Sequence, residues 1–258
     1  MLKLTESNYY SPDANVEYFS ASQVKRFMQC PAMAMAEITG EYTHTETAAL
    51  QIGSFVDAML TGDIDAYAAN HPEIRKKNGE LRAEFERAVD MCERAGRDKL
   101  FMDFMRGDHQ RILTGEIKGI PFKAKLDVIQ DGKRIVDLKT CRSFEPQYKP
   151  GSGKVSFVEA WNYDLQMAIY QHLEGHKLPC YIAAITKEPV PDIAVIEIPQ
   201  HYMDAAMAVL MENIEYYDAI KRNQIEPDRC ERCDWCKQTK VLTKPQTIEE
   251  FEMEDVIQ

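Results

Sequence analysis

Lys123-Ala124-Lys125-Leu126-Asp127-Val128-Ile129 and Arg134-Ile135-Val136-Asp137-Leu138-Lys139-Thr140 are the two runs from which the fold follows. Both alternate in polarity, and Asp131-Gly132 between them is a strong hairpin turn. Two carboxylates and a lysine therefore sit on strands that otherwise want apolar residues. The loop length decides which of them meet. A two-residue loop at Asp131-Gly132 sets Asp127 opposite Val136 and turns Asp137 to the other face. A three-residue loop, Asp131-Gly132-Lys133, sets Asp127 opposite Asp137 and Lys125 opposite Lys139, with all four on one face. Three-residue loops containing glycine are common, so the second register is expected.

Carboxylates held side by side repel, and a divalent metal compensates directly. Mg²⁺ is hard, prefers oxygen, and is usually held by one or two carboxylates plus substrate phosphate. Such an ion can polarise a phosphoryl oxygen and lower the pKa of a bound water. Lys139 emerges beside Asp137 and can stabilise charge developing on phosphorus. The same four residues also suit a solvated strand face with cross-strand ion pairs.

Outward from the hairpin, the chain reads as helices, then strands, then helices. Ser20 or Ser22 caps a helix running to about Glu37. Further helices are expected over Thr47–Leu60, Asp63–Ala69 and Gly79–Lys99, the last continuing through Leu100–Met105 after a break. Arg111–Ile117 is a strand before the hairpin strands Pro121–Ile129 and Lys133–Thr140. A Pro/Gly-rich loop, Ser143–Gly153, leads to an amphipathic helix over Ser156–Leu173. Strands at Cys180–Thr186 and Ile193–Ile198 precede a long helix, His201–Asn223. This order predicts an α/β or α+β domain with a small mixed sheet of about five strands flanked by helices. A single domain over 1–244 is expected, with a helical part at about 18–108, a core at about 109–223 and a Cys-rich segment at 224–244. Residues 245–258 form an acidic tail.

The 258 residues carry 31 bases and 42 acids, a formal charge of -11, and 45% hydrophobic residues. That composition suits a globular chain and not a disordered one. The acidity argues against a nucleic-acid partner only as an average. Residues 245–258 hold five acids and no base, whereas 116–149 hold eight bases and five acids. No apolar run is long enough to span a membrane, and the first residues lack signal-peptide character. A cytoplasmic protein is expected, whose seven cysteines are thiols or ligands rather than a disulfide framework. Cys92, Cys141 and Cys180 have no partner at ligand spacing and suit apolar burial. Cys230, Cys233 and Cys236 form a C-x2-C-x2-C run, and Cys30 is a candidate fourth ligand. Tetrahedral zinc and iron–sulfur both use four cysteines.

Asp127, nine residues, then Asp137-Leu138-Lys139-Thr140 resembles the core of PD-(D/E)XK nucleases, with a restriction-endonuclease-like fold. It most resembles the RecE-like and RecB-like, exonuclease VIII-type enzymes often encoded by phages. Gly53-Ser54-Phe55-Val56-Asp57-Ala58 resembles the helix ahead of that core, with Asp57 where many relatives carry histidine. Gln166-Met167-Ala168-Ile169-Tyr170 matches a Gln-x3-Tyr motif, and Phe19-Ser20-Ala21-Ser22 through Cys30-Pro31 resembles the N-terminal helix. The likeness spans about residues 18–240.

The resemblance implies a Mg²⁺- or Mn²⁺-dependent DNA exonuclease acting on double-stranded ends in recombination or repair. Asp57, Asp127, Asp137, the Leu138 carbonyl and Glu116 are its implied metal ligands, and Lys139 its catalytic lysine. Gln166, Tyr170, Lys125, Ser20 and Ser22 would contact DNA or support the site. Lys123, Arg134, Arg142 and Lys149 are further candidates for phosphate contact. Cys30, Cys230, Cys233 and Cys236 resemble the ligands of the [4Fe–4S] cluster in AddB-type nucleases, with zinc as the rival. A single-strand annealing protein is the implied partner, and a ring-shaped homo-oligomer is plausible by resemblance. A structure-specific or single-strand endonuclease, and a catalytically silent binding protein of the same fold, are the alternatives.

Overall fold

The hairpin turn sets the register of the two strands that carry the acids. In the computed structural model, which describes residues 2–43, 47–149, 151–245 and 247–249, Gln130 pairs with Arg134, Ile129 with Ile135 and Val128 with Val136. The loop is therefore Asp131-Gly132-Lys133, closed by a hydrogen bond from the Lys133 amide to the Gln130 carbonyl at 2.9 Å. Gly132 adopts φ 67°, which glycine reaches without steric cost. This is the register of the three-residue loop, and the paired ladder ends at Val128–Val136, one residue short of Asp127 and Asp137.

The strands are β1 (Asp108–Ile117), β2 (Ile120–Gln130), β3 (Arg134–Cys141), β4 (Gln147–Lys149), β5 (Gly153–Val155), β6 (Cys180–Thr186) and β7 (Ile193–Ile198). Five form one sheet in the order β1-β2-β3-β6-β7. All neighbours are antiparallel except β3 and β6. β4 and β5 make a small separate hairpin that starts within the expected Pro/Gly-rich loop, Ser143–Gly153, and ends just past it. β3 is central, and Ile135, Val136 and Leu138 are buried, as expected for a strand covered on both faces.

The helices are α1 (Pro12–Glu17), α2 (Ala21–Gln29), α3 (Pro31–Thr39), α4 (Ala48–Thr61), α5 (Ile64–Asn70), α6 (Ala83–Gly96), α7 (Lys99–Phe104), α8 (Phe157–Ala160), α9 (Tyr163–Glu174), α10 (Gln200–Lys221) and α11 (Asp234–Gln238). One apolar core joins α2, α3, α9 and α10 to one face of the sheet through Phe19, Phe27, Phe122, Leu126, Ile169 and Ile214. The other joins α4, α6 and α7 to the opposite face through Phe55, Phe85, Met91, Phe101, Val136 and Ile185. The result is a three-layer arrangement in which β3 is reached from both sides.

Two expected helices are broken. The helix expected to run to Glu37 stops at Gln29, because Cys30 takes an extended backbone and Pro31 begins α3; a residue before proline disfavours the helical region. The helix expected over Ser156–Leu173 breaks at Trp161-Asn162, where Asn162 adopts φ 49°. Of the expected acidic tail, residue 246 and residues 250–258 lie outside the described residues. No described helix is long and apolar enough to cross a membrane.

Candidate active site

The β2–β3 ladder opens just beyond Val128 and Val136. There the Leu138 amide donates to Asp127 Oδ2 at 2.9 Å, so a side chain takes the place of a strand carbonyl. Asp137, 1% exposed, points from the middle of β3 into the space this leaves. Lys139 Nζ ion-pairs with Asp137 Oδ2 and donates to the Leu138 carbonyl at 3.3 Å. Asp127, Asp137, Lys139 and Lys125 line one cavity of about 440 Å³, together with Ser20, Ser22, Gln166, Tyr170, Gln110, Tyr9 and Tyr10.

Helix α9 supplies the wall opposite β3. Leu165, Met167, Ala168 and Ile169 bury its inner face, which turns Gln166 and Tyr170 together toward the strand. Gln166 Nε2 donates to Asp137 Oδ1 at 2.7 Å and to Tyr170 Oη at 3.1 Å. Its Oε1 accepts from Lys25 Nζ of α2 at 2.9 Å. The Gln166 amide is thus used on both ends, and it ties a buried carboxylate to a second lysine. Tyr163 lies beneath both cations, its ring 4.8 Å from Lys25 Nζ and 5.3 Å from Lys139 Nζ, within cation–π reach. Ser20 caps α2 by accepting from the Gln23 amide at 3.3 Å and lies 2.9 Å from Ser22 Oγ.

Helix α4 approaches from the other layer. Asp57 Oδ2 accepts from Gln110 Nε2 at 3.0 Å, while Asp57 Oδ1 is buried and has no hydrogen-bond partner among the described residues. Gln110 interrupts β1 with φ 54°, between the pairs His109–Val128 and Arg111–Leu126. That left-handed kink sits beside Asp127, and strained backbone of this kind gathers at functional sites.

The electrostatics follow from this crowding. Burial, with Asp137 next, holds the Asp127 carboxyl well above the usual carboxylate range. Burial also raises Asp57, against the opposing influence of His109 and Lys139. Burial works against the Lys139 ammonium, but Asp137 and Asp127 outweigh it and keep that lysine above its ordinary value. Burial and then the Lys139 charge pull Lys25 down to about 7. Carboxylates kept out of water beside one another, one oxygen lacking any partner, form a hard-oxygen donor set that a divalent ion would complete. Asp57, Asp127 and Asp137 do not converge tightly enough to make a closed cage.

Not every expected residue arrives here. Glu116 is exposed on β1 opposite Pro121; it lies six residues from Gln110, roughly 20 Å of strand, and is no candidate ligand. Lys123 lines the cavity but is 1% exposed. Its Nζ donates inward to the Tyr9 carbonyl at 2.5 Å and Asn15 Oδ1 at 2.8 Å, so two of its three donors are already committed inside the protein. Arg134 ion-pairs with Asp103 at 2.6 Å and stacks on Phe104, and Lys149 donates to the Glu159 carbonyl and Asn162. Sequence reasoning passed over Lys25, Tyr163, Gln110 and His109. Lys25 alone left a trace, as a cation on the helix capped by Ser20.

The four cysteines form a second constellation. Cys30, Cys230, Cys233 and Cys236 bring their sulfurs within 4.8 Å of one another, and among the described residues no other His, Cys, Asp or Glu group converges so closely. All seven cysteines are free thiols, and Cys92, Cys141 and Cys180 are buried apart from this group.

A family model described as a PDDEXK-like domain of unknown function (DUF3799) matches residues 20–239. A crystal structure from Eubacterium rectale, of a protein provisionally named an exonuclease, superimposes with a TM-score of 0.93 at 37% identity, covering 97% of this chain and 98% of that one. The crystal structure of SSO0001 superimposes with a TM-score of 0.33 at 15% identity over 84% and 96% of the two chains, too weak a likeness to bear on the fold. No curated protein matches the chain.

Proposed function

This chain belongs to the PDDEXK-like domain family, and from that membership we propose that it is a magnesium-dependent deoxyribonuclease that degrades double-stranded DNA from its ends. The observation that carries the reading is the meeting of Asp127, Asp137 and Lys139 in one cavity, with Gln166 bonded to Asp137 and a partnerless Asp57 oxygen behind. Asp57, Asp127, Asp137 and the Leu138 carbonyl are the groups that would hold the ion. When bound, it supplies Lewis-acid polarisation of a phosphoryl oxygen and activation of water. The protein's own residues divide the remaining work. Lys139, whose ammonium the two aspartates favour, would steady negative charge on the phosphate oxygens. Gln166 fixes the rotamer of Asp137. Lys125, Ser20 and Ser22 line the mouth, where a phosphate backbone passes.

The resemblance to exonuclease VIII-type enzymes, and the provisional name of the Eubacterium rectale protein, favour attack at ends and a place in recombination or repair. Seven free thiols favour a cytoplasmic setting. The test is digestion of linear and covalently closed circular duplex with Mg²⁺. Loss of the linear form with the circle intact is expected, and Lys139→Ala should abolish cleavage while DNA still binds. Cutting the circle as fast as the linear form would replace the exonuclease reading with an endonuclease one. Full activity in Lys139→Ala would remove the assigned chemistry.

A further inference from the structure

Cys30 occupies the joint between α2 and α3, closing one helix and opening the next with its backbone extended. It is fully buried, as is Cys236 on α11, and the two sulfurs stand 3.6 Å apart across 206 residues of chain. Cys233 caps α11. The Cys233 amide donates to Cys230 Sγ at 3.3 Å, and the Cys236 amide to Cys233 Sγ at 3.4 Å. Amides aimed at sulfur stabilise a thiolate, which is the metal-binding form. Glu231, with φ 55°, makes the tight turn that brings Cys230 and Cys233 round. Arg229 braces the loop by donating to the Cys236 carbonyl at 2.7 Å, and Ala32, Met33, Tyr42 and Trp235 shield the sulfurs from water.

This geometry does not fit the four-iron cluster that the resemblance to AddB-type nucleases implies. In a [4Fe–4S] cubane each thiolate binds a different iron, with the body of the cube between them. No two ligands of such a cube could approach as closely as Cys30 and Cys236 do. A single tetrahedral ion asks for the opposite: zinc–sulfur bonds of about 2.3 Å place the four sulfurs roughly 3.8 Å apart. The observed sulfurs all lie within 4.8 Å, the compact spacing of one ion.

We infer that Cys30, Cys230, Cys233 and Cys236 bind one structural zinc ion, which clasps the α2–α3 corner to the segment after α10. The consequence reaches the cavity, because α2 carries Ser20, Ser22 and Arg26 in its wall and Lys25 onto Gln166. Closed four-cysteine sites contribute folding energy and leave no open position for chemistry. The ion is thus a staple for the site and no part of its reaction, and the inference stands whether or not the chain cleaves DNA.

The full-length protein, purified anaerobically with reductant and without chelator, should contain about one zinc per chain, no acid-labile sulfide and no visible absorption. Exchange with Co²⁺ should give the strong visible bands and thiolate charge-transfer absorption of a tetrahedral four-sulfur site. Cys30→Ala and Cys236→Ser should lose the zinc and melt at lower temperature, and Cys92→Ala should keep it. Iron with equimolar sulfide, iron without sulfide, or metal-free protein whose melting temperature ignores strong chelators would each overturn the assignment. Should the cysteine variants prove insoluble, metal content and the cobalt spectrum of the wild type decide alone.

Discussion

Gln166→Leu isolates what the Gln-x3-Tyr pair does. Leucine nearly preserves the volume on α9, so the buried Leu165, Met167 and Ile169 face stays packed, and the change is confined to hydrogen bonds. Three are lost: to Asp137 Oδ1 at 2.7 Å, to Tyr170 Oη at 3.1 Å and from Lys25 Nζ at 2.9 Å. Two of these involve charged groups, where a single bond is worth about 1.5–3 kcal/mol. The losses do not add, because Asp137 keeps its Lys139 ion pair and Lys25 keeps the Tyr163 ring. One charged bond's worth corresponds to roughly a 10–100-fold loss at 1.36 kcal/mol per decade, the range found when groups supporting a metal ligand are removed. The assay is the rate of linear duplex degradation against Mg²⁺ concentration, beside a melting curve. Half-saturating Mg²⁺ should rise, or the maximal rate fall, by about that factor, with the fold intact. Tyr170→Phe, which deletes one neutral bond, should do much less. A Gln166→Leu enzyme with wild-type rate and wild-type Mg²⁺ requirement would refute the claim that this amide holds Asp137 in place.

Three further outcomes are expected. Asp127 has its carboxyl raised by burial and by Asp137, so folding becomes less favourable as pH rises past the ordinary carboxylate range; without divalent ions Asp127→Asn should melt higher than wild type at pH 7, and Mg²⁺ should raise the wild-type melting temperature only. Lys221 is buried against Tyr18 and Gln23 and lowered by burial to about 7; the unfolded chain then binds more protons between about pH 7 and 10, so wild-type stability should gain in that window, in chemical denaturation, a component that Lys221→Met lacks. Gly107 has φ 137°, and a Cβ there would meet the Ile129 carbonyl oxygen at 2.4 Å; Gly107→Ala should cost about 1–3 kcal/mol in the same measurement, and an unchanged midpoint would count against the described turn.

The hairpin was legible because its information is local. Asp131-Gly132 marks the turn and the alternation marks the faces, and once the loop is three residues long Asp127 and Asp137 fall on the same face. Gln166 and Tyr170 were legible for the same reason, being one turn apart on one helix. What stayed hidden depends on tertiary packing. Lys25 and Gln166 are 141 residues apart in the chain, and nothing on α2 announces that Lys25, and not its neighbour Arg26, will meet α9. Glu116 failed as a candidate because strand parity places a side chain on a face but says nothing of its position along the sheet. The breaks at Cys30-Pro31 and at Asn162 were missed where apolar spacing runs on through a backbone that turns.

The formal charge of -11 is a poor guide to whether a polyanion can enter this cavity. Exposed charges are screened over about 8 Å at physiological salt, so the residues that matter are those at the site. The charged groups lining the cavity are Arg26, Lys123, Lys125 and Lys139 against Glu37, Asp127 and Asp137, four positive and three negative. A divalent ion adds two more positive charges where a scissile phosphate would lie. With Arg26 paired to Glu37, Lys139 to Asp137 and Lys123 bonded inward, the lining itself is close to neutral, and a bound divalent ion would supply most of the attraction, at short range. Binding should consequently rest on few phosphate contacts, and its salt dependence should be shallow beside that of a basic DNA-binding protein. The acidity of the remaining surface then works against nonspecific retention along a duplex and leaves productive contact to the cavity itself.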